Sequence, residues 1–511
     1  MHPPITSSSS RLSSPRLRLV TAVLVLSVLL ASLDQTVFGT ALPSIAGDLG
    51  AAASMHWVTT AYVLASTVVM PIYGKLGDLH GRKLYFVAAV LLFMLGSVLG
   101  GLALDITSLN IARAVQGLGG GGLILLSQTI IADVVPSASR SRYLGMLGAI
   151  FALASLLGPL LGGWLTEGPG WRWAFWMNIP TGLAVLVTAT LYLPGGTKGS
   201  NNQRFDWLGT VLVSTGIISL LLAISLGGHA WAWDSAEIAG LFSVAAIAIT
   251  AFVVVEHRHP APILPMSLFG ERNSALALGT NLALGAVMFG SLAYLPTAFQ
   301  MVYRLSATAA GLMLLPLMAG IVVGSISAGA LTPKLASPKW LPVVGMAIAA
   351  AALVPLAALS PQTPLWSSVV TLCLLGVGIG LSMQTVLLIA QSSRPAAELG
   401  VTTGASGYLQ KIGGTAGAGF IGAFFADRLS WNLGALADSS LSKMDRGSVG
   451  PETLAGLPAK AQFEVAEAYS SALMPLYATF IPIAFLAAAC MFFIQEKTLR
   501  ISEPAVQSEA K

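Results

Sequence analysis

Two charged side chains stand in stretches that are otherwise apolar. Asp34 interrupts the run Leu19–Ala41, and Arg113 interrupts Ser108–Val134. Each run reaches the roughly 20 residues that a helix needs to cross a bilayer. A charge in hydrocarbon costs about 2.5–3.5 kcal/mol on insertion scales and persists only where it faces protein or water. Asp34 is the one acid well inside any such run, and none of the six histidines lies mid-run. If a proton crosses on a side chain, Asp34 is its carrier by elimination, with Arg113, in another run, as the cation that would modulate it; the other use of such an acid is a structural ion pair or helix packing. Gln116, Asn281, Gln384, Gln391, Gln410 and Lys411 are further polar groups within apolar runs. They are candidates for a cavity lining or for hydrogen bonds between helices.

Two backbone patterns accompany these side chains. Gly145, Gly158, Pro159, Gly162 and Gly163 notch the run Tyr143–Thr166. Small residues four apart let helix backbones touch, and the proline bends the helix. Between two other runs lies Gly74-Lys75-Leu76-Gly77-Asp78-Leu79-His80-Gly81-Arg82-Lys83. Its glycines allow a tight turn. Asp78 can pair with Arg82 or with a helix N-terminus from elsewhere, which makes Gly74, Asp78, Gly81, Arg82 and Lys83 a candidate conformational latch. The corresponding later stretch, Gly329-Ala330-Leu331-Thr332-Pro333-Lys334, has no acid, so an asymmetric latch is expected.

The elements that position these residues follow from composition. The 511 residues are 55% hydrophobic and 9% charged, against about 25% charged in soluble proteins. The chain is therefore an all-α polytopic membrane protein. Apolar length and breakers give fourteen spans. After Leu19–Ala41 come Trp57–Leu76, Leu84–Ala103, Ser108–Val134, Tyr143–Thr166, Ala174–Leu193, Trp207–Gly228, Ala236–Glu256, Ser274–Val302, Ala307–Leu331, Leu341–Ser360, Leu365–Ser392, Val401–Asp427 and Ala472–Ile494. Most of the 26 Lys and Arg fall on one side of this arrangement, which places both termini in the cytoplasm. The net charge of +5 is spread singly over short loops and does not indicate nucleic acid. Trp171–Pro180 reads as an aromatic belt at the outer interface. Cys373 and Cys490 lie within apolar runs and suit gap-filling rather than a disulfide.

An internal repeat orders the spans. A shift of 259 residues carries Gly117, Gly119 and Gly121 onto Gly376, Gly378 and Gly380, and Pro136 onto Pro395. The same shift carries Gly145, Gly148, Gly158 and Gly163 onto Gly404, Gly407, Gly417 and Gly422. Spans four and five thus correspond to twelve and thirteen, a period of eight helices. Two six-helix halves, 19–193 and 274–494, are expected around an inserted pair, 206–256. Polar tails at 1–18 and 495–511 and a long outer loop at 428–471 complete the division.

Arg113, Gln116, Gly117 and Gly119 resemble the fourth-helix signature of the major facilitator superfamily. Gly145, Gly158, Pro159, Gly162 and Gly163 resemble its fifth-helix antiporter signature, with Ala154 where the pattern has a further Gly. The stretch Gly74–Lys83 resembles its cytoplasmic loop signature, with Leu79 where a basic residue is common. Leu33–Pro43 is similar to the first helix of the fourteen-helix drug:proton antiporters (EmrB/QacA-like), with Gly39 in place of the usual Asn. The resemblance covers nearly the whole chain. It implies the major facilitator fold and a monomeric proton-coupled antiporter in a bacterial inner membrane, exporting small amphipathic compounds by alternating access. Asp34 and Arg113 would couple the proton. The implied partners are a small lipophilic substrate, protons and membrane lipid. One buried acid leads us to expect monocations or neutral compounds over dications. A lipid or glycolipid exporter, or a proton-coupled importer, would share the same pattern. No cofactor is expected, and no Walker-type loop is present to use ATP. No His–acid or Cys–His cluster converges in the spans, which argues against an enzyme.

Overall fold

The computed structural model describes residues 14–49, 56–195, 205–228, 231–435 and 458–495. Its helices in chain order are α1 (Ser14–Asp48), α2 (His56–His80), α3 (Arg82–Gly101), α4 (Ile106–Val134), α5 (Ser137–Glu167), α6 (Trp173–Trp176) and α7 (Asn178–Tyr192). Then follow α8 (Trp207–Leu226), α9 (Ala236–Arg258), α10 (Ser267–Gly270), α11 (Arg272–Val302), α12 (Ala307–Leu312), α13 (Leu315–Leu331), α14 (Trp340–Ala357), α15 (Leu365–Ser392) and α16 (Leu399–Ala435). The last two are α17 (Ala459–Leu473) and α18 (Phe480–Phe492), joined by a 3-10 segment, Met474–Thr479. Most of the two terminal tails and much of the outer loop expected at 428–471 lie outside the described residues; α1 begins at Ser14, within the expected first tail.

Thirteen helical stretches among the described residues are long and apolar enough to cross a membrane. The fourteenth expected span, Val401–Asp427, is not among them. It lies inside α16, whose 37 residues carry many glycines together with Lys411, Asp427 and Arg428. The expected span Ala174–Leu193 divides at Met177 into α6 and α7. The final span begins earlier than expected, because α17 runs on through the 3-10 segment into α18.

Helix pairing recurs along the chain. In the first part α1 lies on α5, both α2 and α3 lie on α4, and α3 lies on α7. In the second part α11 lies on α16, both α13 and α14 lie on α15, and α14 lies on α18. The repeated glycines explain the match. A Cβ on Gly117 or Gly121 would overlap the Tyr62 and Ser66 carbonyls of α2; one on Gly376 or Gly380 would overlap the Leu317 and Ile321 carbonyls of α13. Gly119 meets α3 at Ala89 and Phe93, as Gly378 meets α14 at Gly345 and Ala349. Gly163 and Gly422 are an unequal pair: the first has open space, the second abuts the Tyr294 hydroxyl.

The two parts meet along α2–α16 and α5–α13. Gly74 approaches Gly400, Gly145 approaches Ser325 and Gly329, and Gly404 approaches Met70 and Pro71. The α8–α9 pair sits beside this seam, with α8 against both α2 and α16. The α9–α10 connection is pinned by Glu256 Oε1, which accepts from Ile263 N at 3.0 Å and Leu264 N at 3.4 Å.

Candidate functional site

Asp34 and Arg113 meet. α1 brings the carboxylate and α4 the guanidinium, and neither side chain has any solvent exposure. Arg113 Nη1 donates to Asp34 Oδ2 at 2.7 Å and to Gln116 Oε1 at 2.5 Å. Gln116 Nε2 donates to Asp34 Oδ1 at 2.7 Å and to Ser97 Oγ at 2.9 Å. Asn178 Nδ2 donates to Asp34 Oδ1 at 2.9 Å. Arg113 Cζ lies 4.2 Å from the Phe38 ring centre and 4.4 Å from that of Tyr62, and Nε donates to the Val58 carbonyl at 3.2 Å. Two aromatic faces and a carbonyl replace water around the cation, which is how a buried charge remains tolerable. Asp34 therefore lies inside the first six-helix group. Its neighbour Gln35, about 100° around the same helix, faces the central cavity instead.

Two and six residues beyond Asp34, α1 is hooked to α5. Thr36 Oγ1 donates to the Ala154 carbonyl at 3.1 Å, and Thr40 Oγ1 reaches the Pro159 carbonyl at 3.5 Å. Gly158 and Gly162 make this possible, since a Cβ on either would overlap Thr36 or Thr40. Gly163 has no neighbour within 4 Å of such a Cβ. At the far end of α1, Arg172 Nη1 donates to Asp48 Oδ2 at 2.7 Å and Trp171 Nε1 donates to the same oxygen at 3.0 Å. The Arg172 and Trp171 donors hold the Asp48 carboxyl below its ordinary value. Trp171 and Phe175 are buried, so half of the expected aromatic belt is core; Trp173 is exposed.

The loop residues Gly74, Asp78, Gly81 and Arg82 converge as well. Gly81 has φ 93°, the left-handed region that suits glycine, and turns the chain from α2 into α3. Asp78 accepts from Gly400 N at 3.0 Å and Val401 N at 2.9 Å at the start of α16, and from Arg82 Nη2 at 2.8 Å. A carboxylate on the free N–H groups of a helix start is favoured by charge and hydrogen bonding together. Arg82 also pairs with Asp133 and donates to the Thr129 carbonyl at 2.8 Å. Lys83 takes no part; its Nζ donates to the Thr190 carbonyl of α7 at 2.7 Å. The equivalent contact of the second part is uncharged: Ser141 Oγ donates to the Gly329 carbonyl at 3.3 Å.

A cavity of about 360 Å³ lies between the two parts. Helices α1, α2, α4 and α5 line it from one side and α11, α15 and α16 from the other. Asn281, Gln384, Gln410 and Lys411 line it, beside Met70, Phe151, Phe289 and Met383. Gln116, expected here, belongs to the Asp34 network. Gln391 instead cross-links α15 to α16 through Thr403 Oγ1 at 2.9 Å. The sequence reading missed Ser97, Asn178, Tyr62 and Asp133. Asn178 was the nearest to being found, because it stands at the polar end of the aromatic stretch.

Residues 24–418 match the Major Facilitator Superfamily. The chain is 36% identical over 97% of its length to an MFS-type transporter of Mycobacterium tuberculosis, covering 72% of that protein. It is 37% identical over 84% of its length to the multidrug transporter protein MdtP of Bacillus subtilis, covering 79% of that protein. The fold is similar to that of the proton:xylose symporter XylE, with a TM-score of 0.60 at 16% identity, over 95% of this chain and 98% of that one. It is also similar to the human organic anion transporter MFSD10, with a TM-score of 0.62 at 15% identity, over 93% and 100%. With that match and those relatives beside an all-helical bundle built around a central cavity, the chain belongs to the Major Facilitator Superfamily and is a multi-pass membrane transporter, not an enzyme.

Proposed function

We propose that the chain is a proton-coupled antiporter that exports small amphipathic compounds by alternating access. The observation that carries this reading is the Asp34–Arg113 pair, buried on the helix that α5 grips through Thr36 and Thr40. Ionised Asp34 holds Arg113, Gln116 and Asn178 around it. A proton on the carboxylate cancels the ion pair, and Arg113 keeps Gln116 Oε1, the Val58 carbonyl and two ring faces. Release of α1 from α4 then lets α1 and α5 shift together.

The Asp78 end takes the cytoplasmic side in this reading, with both termini there, in a bacterial inner membrane. Residues 19–193 and 274–494 are the two halves, 206–256 the inserted pair, and α16 supplies the fourteenth span. The contacts Asp78–Val401 and Ser141–Gly329 then close the cytoplasmic mouth, leaving the cavity to be served from outside. The names of relatives support export: MdtP is a multidrug transporter, and a 28% identical protein of Gibberella moniliformis is an efflux pump. Each proton entering down 100 mV supplies about 2.3 kcal/mol.

The test uses inverted vesicles energised by respiration, a pH-sensitive dye and a panel of aromatic amphiphiles. Compound-induced proton release is expected with the parent chain and is lost in Asp34→Asn, while binding of the compound persists. Proton release at the parent rate in Asp34→Asn would overturn the coupling assignment.

A further inference from the structure

The central cavity has a charge of its own, and that charge is not Asp34. Among the residues that line it, Lys411 is the one charged side chain; no aspartate or glutamate lines it. Lys411 Nζ donates to Ser66 Oγ at 2.5 Å, across the seam between α16 and α2. An ammonium has three N–H donors, and no carboxylate partner meets this one among the described residues. A cation partly withdrawn from water is costly until an anion or a set of acceptors compensates it.

A second observation points the same way. Asn281 Nδ2 and Ser406 Oγ line this cavity, their residues are nine-tenths buried or more, and both atoms lack a hydrogen-bond partner. Both are able to donate. They stand on α11 and α16, which lie against each other. An unpaired buried donor favours an acceptor at that point, as the unpaired Gln384 Oε1 on the same wall favours a donor. The rest of the wall is largely apolar, with Phe151, Phe289 and Met383, and its other polar groups, such as Gln35, Gln128, Gln384 and Gln410, are uncharged. The volume of about 360 Å³ is within the range of small-molecule sites.

We propose that the cavity selects organic anions: an aromatic or otherwise lipophilic body carrying one carboxylate or sulfonate, whose oxygens pair with Lys411 and accept from Asn281 and Ser406. This names the substrate class of the transport site and rests on the transport reading above. It replaces the monocation preference that one buried acid suggested, because that acid does not face the cavity. It also suits export, since an inside-negative membrane drives an anion outward.

The test is a binding measurement on the purified full chain in detergent, with three probes that share a dansyl fluorophore: dansylglycine (anion), dansylamide (neutral) and dansylcadaverine (cation). Dansylglycine is expected to bind at least tenfold more tightly than dansylcadaverine. Its preference over dansylamide should fall at least tenfold in Lys411→Gln and be retained in Lys411→Arg, which also shows that the site still folds. Equal binding of the three probes, preference for the cation, or no binding of the anion overturns the proposal. A preference for dansylglycine that survives Lys411→Gln overturns the role of Lys411. Since neither vesicles nor a proton gradient are involved, an absence of export would leave this result standing, and a failure here would leave proton-coupled export standing.

Discussion

Asp34 and Arg113 stabilise each other within a protein interior, and this sets how their variants behave. Removing one partner of a buried pair leaves the other uncompensated, at a cost of about 3–5 kcal/mol. Arg113→Gln is expected to lose stability on that scale in detergent unfolding. The double variant Asp34→Asn/Arg113→Gln should recover much of the loss, because two amides can bond to each other and to Gln116. Strictly additive losses would show that the two side chains do not act as a pair. At the other end of α1, Asp48 has a folded-state pKa held down by Arg172 and Trp171. Its contribution is complete above the unfolded carboxylate value of about 3.9 and disappears as pH falls through the lower folded value. The stability difference between the parent and Asp48→Asn should thus be constant from pH 8 to 5 and close below about pH 4. An unchanged difference in acid would exclude the clamp. At this scale the sequence showed which charges were buried but not whom they met. Asn178 and Ser97 are short polar side chains on other helices, and nothing in their spacing points at Asp34.

Helices in this bundle approach where glycine removes the Cβ, and adjacent residues differ sharply in that respect. Gly162→Ala would drive a methyl into Thr40 and Val37, whereas Gly163→Ala enters open space. Overpacking costs about 1–3 kcal/mol. Gly162→Ala should lower the unfolding midpoint and slow transport, and Gly163→Ala should do neither. A matched pair of effects would mean that α1 does not sit on α5 as described. The pairing of α4 with α15 was legible in the sequence because one steric demand, a carbonyl in place of a side chain, was written twice at Gly117 and Gly376. Helix ends were less legible. Nothing apolar marks where α16 stops, because glycine and small residues keep its hydropathy low along its whole length. The break at Met177 falls within an aromatic run that suits an interface as well as a core.

Across the whole molecule, the two parts are joined asymmetrically at the Asp78 end. One contact is a carboxylate on a helix start; the other is a hydroxyl against a carbonyl at Gly329. A hydrogen bond to a charged group contributes about 1.5–3 kcal/mol, so losing Asp78 should raise the population open at that end at least tenfold. In a chain lacking Cys373 and Cys490, a cysteine introduced as Ser141→Cys is expected to resist a water-soluble maleimide. It should become reactive when Asp78→Ala is added. Labelling that is fast in both would show the seam to be open already. The general layout of spans was readable from apolar length alone, whereas the closure was not, because it depends on which end of α16 meets Asp78.

The placement of Asp34 and Gln35 on different faces of one helix has a consequence for how such a transporter can diversify. Under the proposed coupling, energy input is handled by side chains that no cargo touches, and cargo is handled by side chains that no proton visits. Residues such as Phe151, Phe289 and Met383 are then free to drift under selection for new compounds while the engine is inherited unchanged. A lineage could broaden or narrow its chemical repertoire without ever passing through an uncoupled, leaking ancestor.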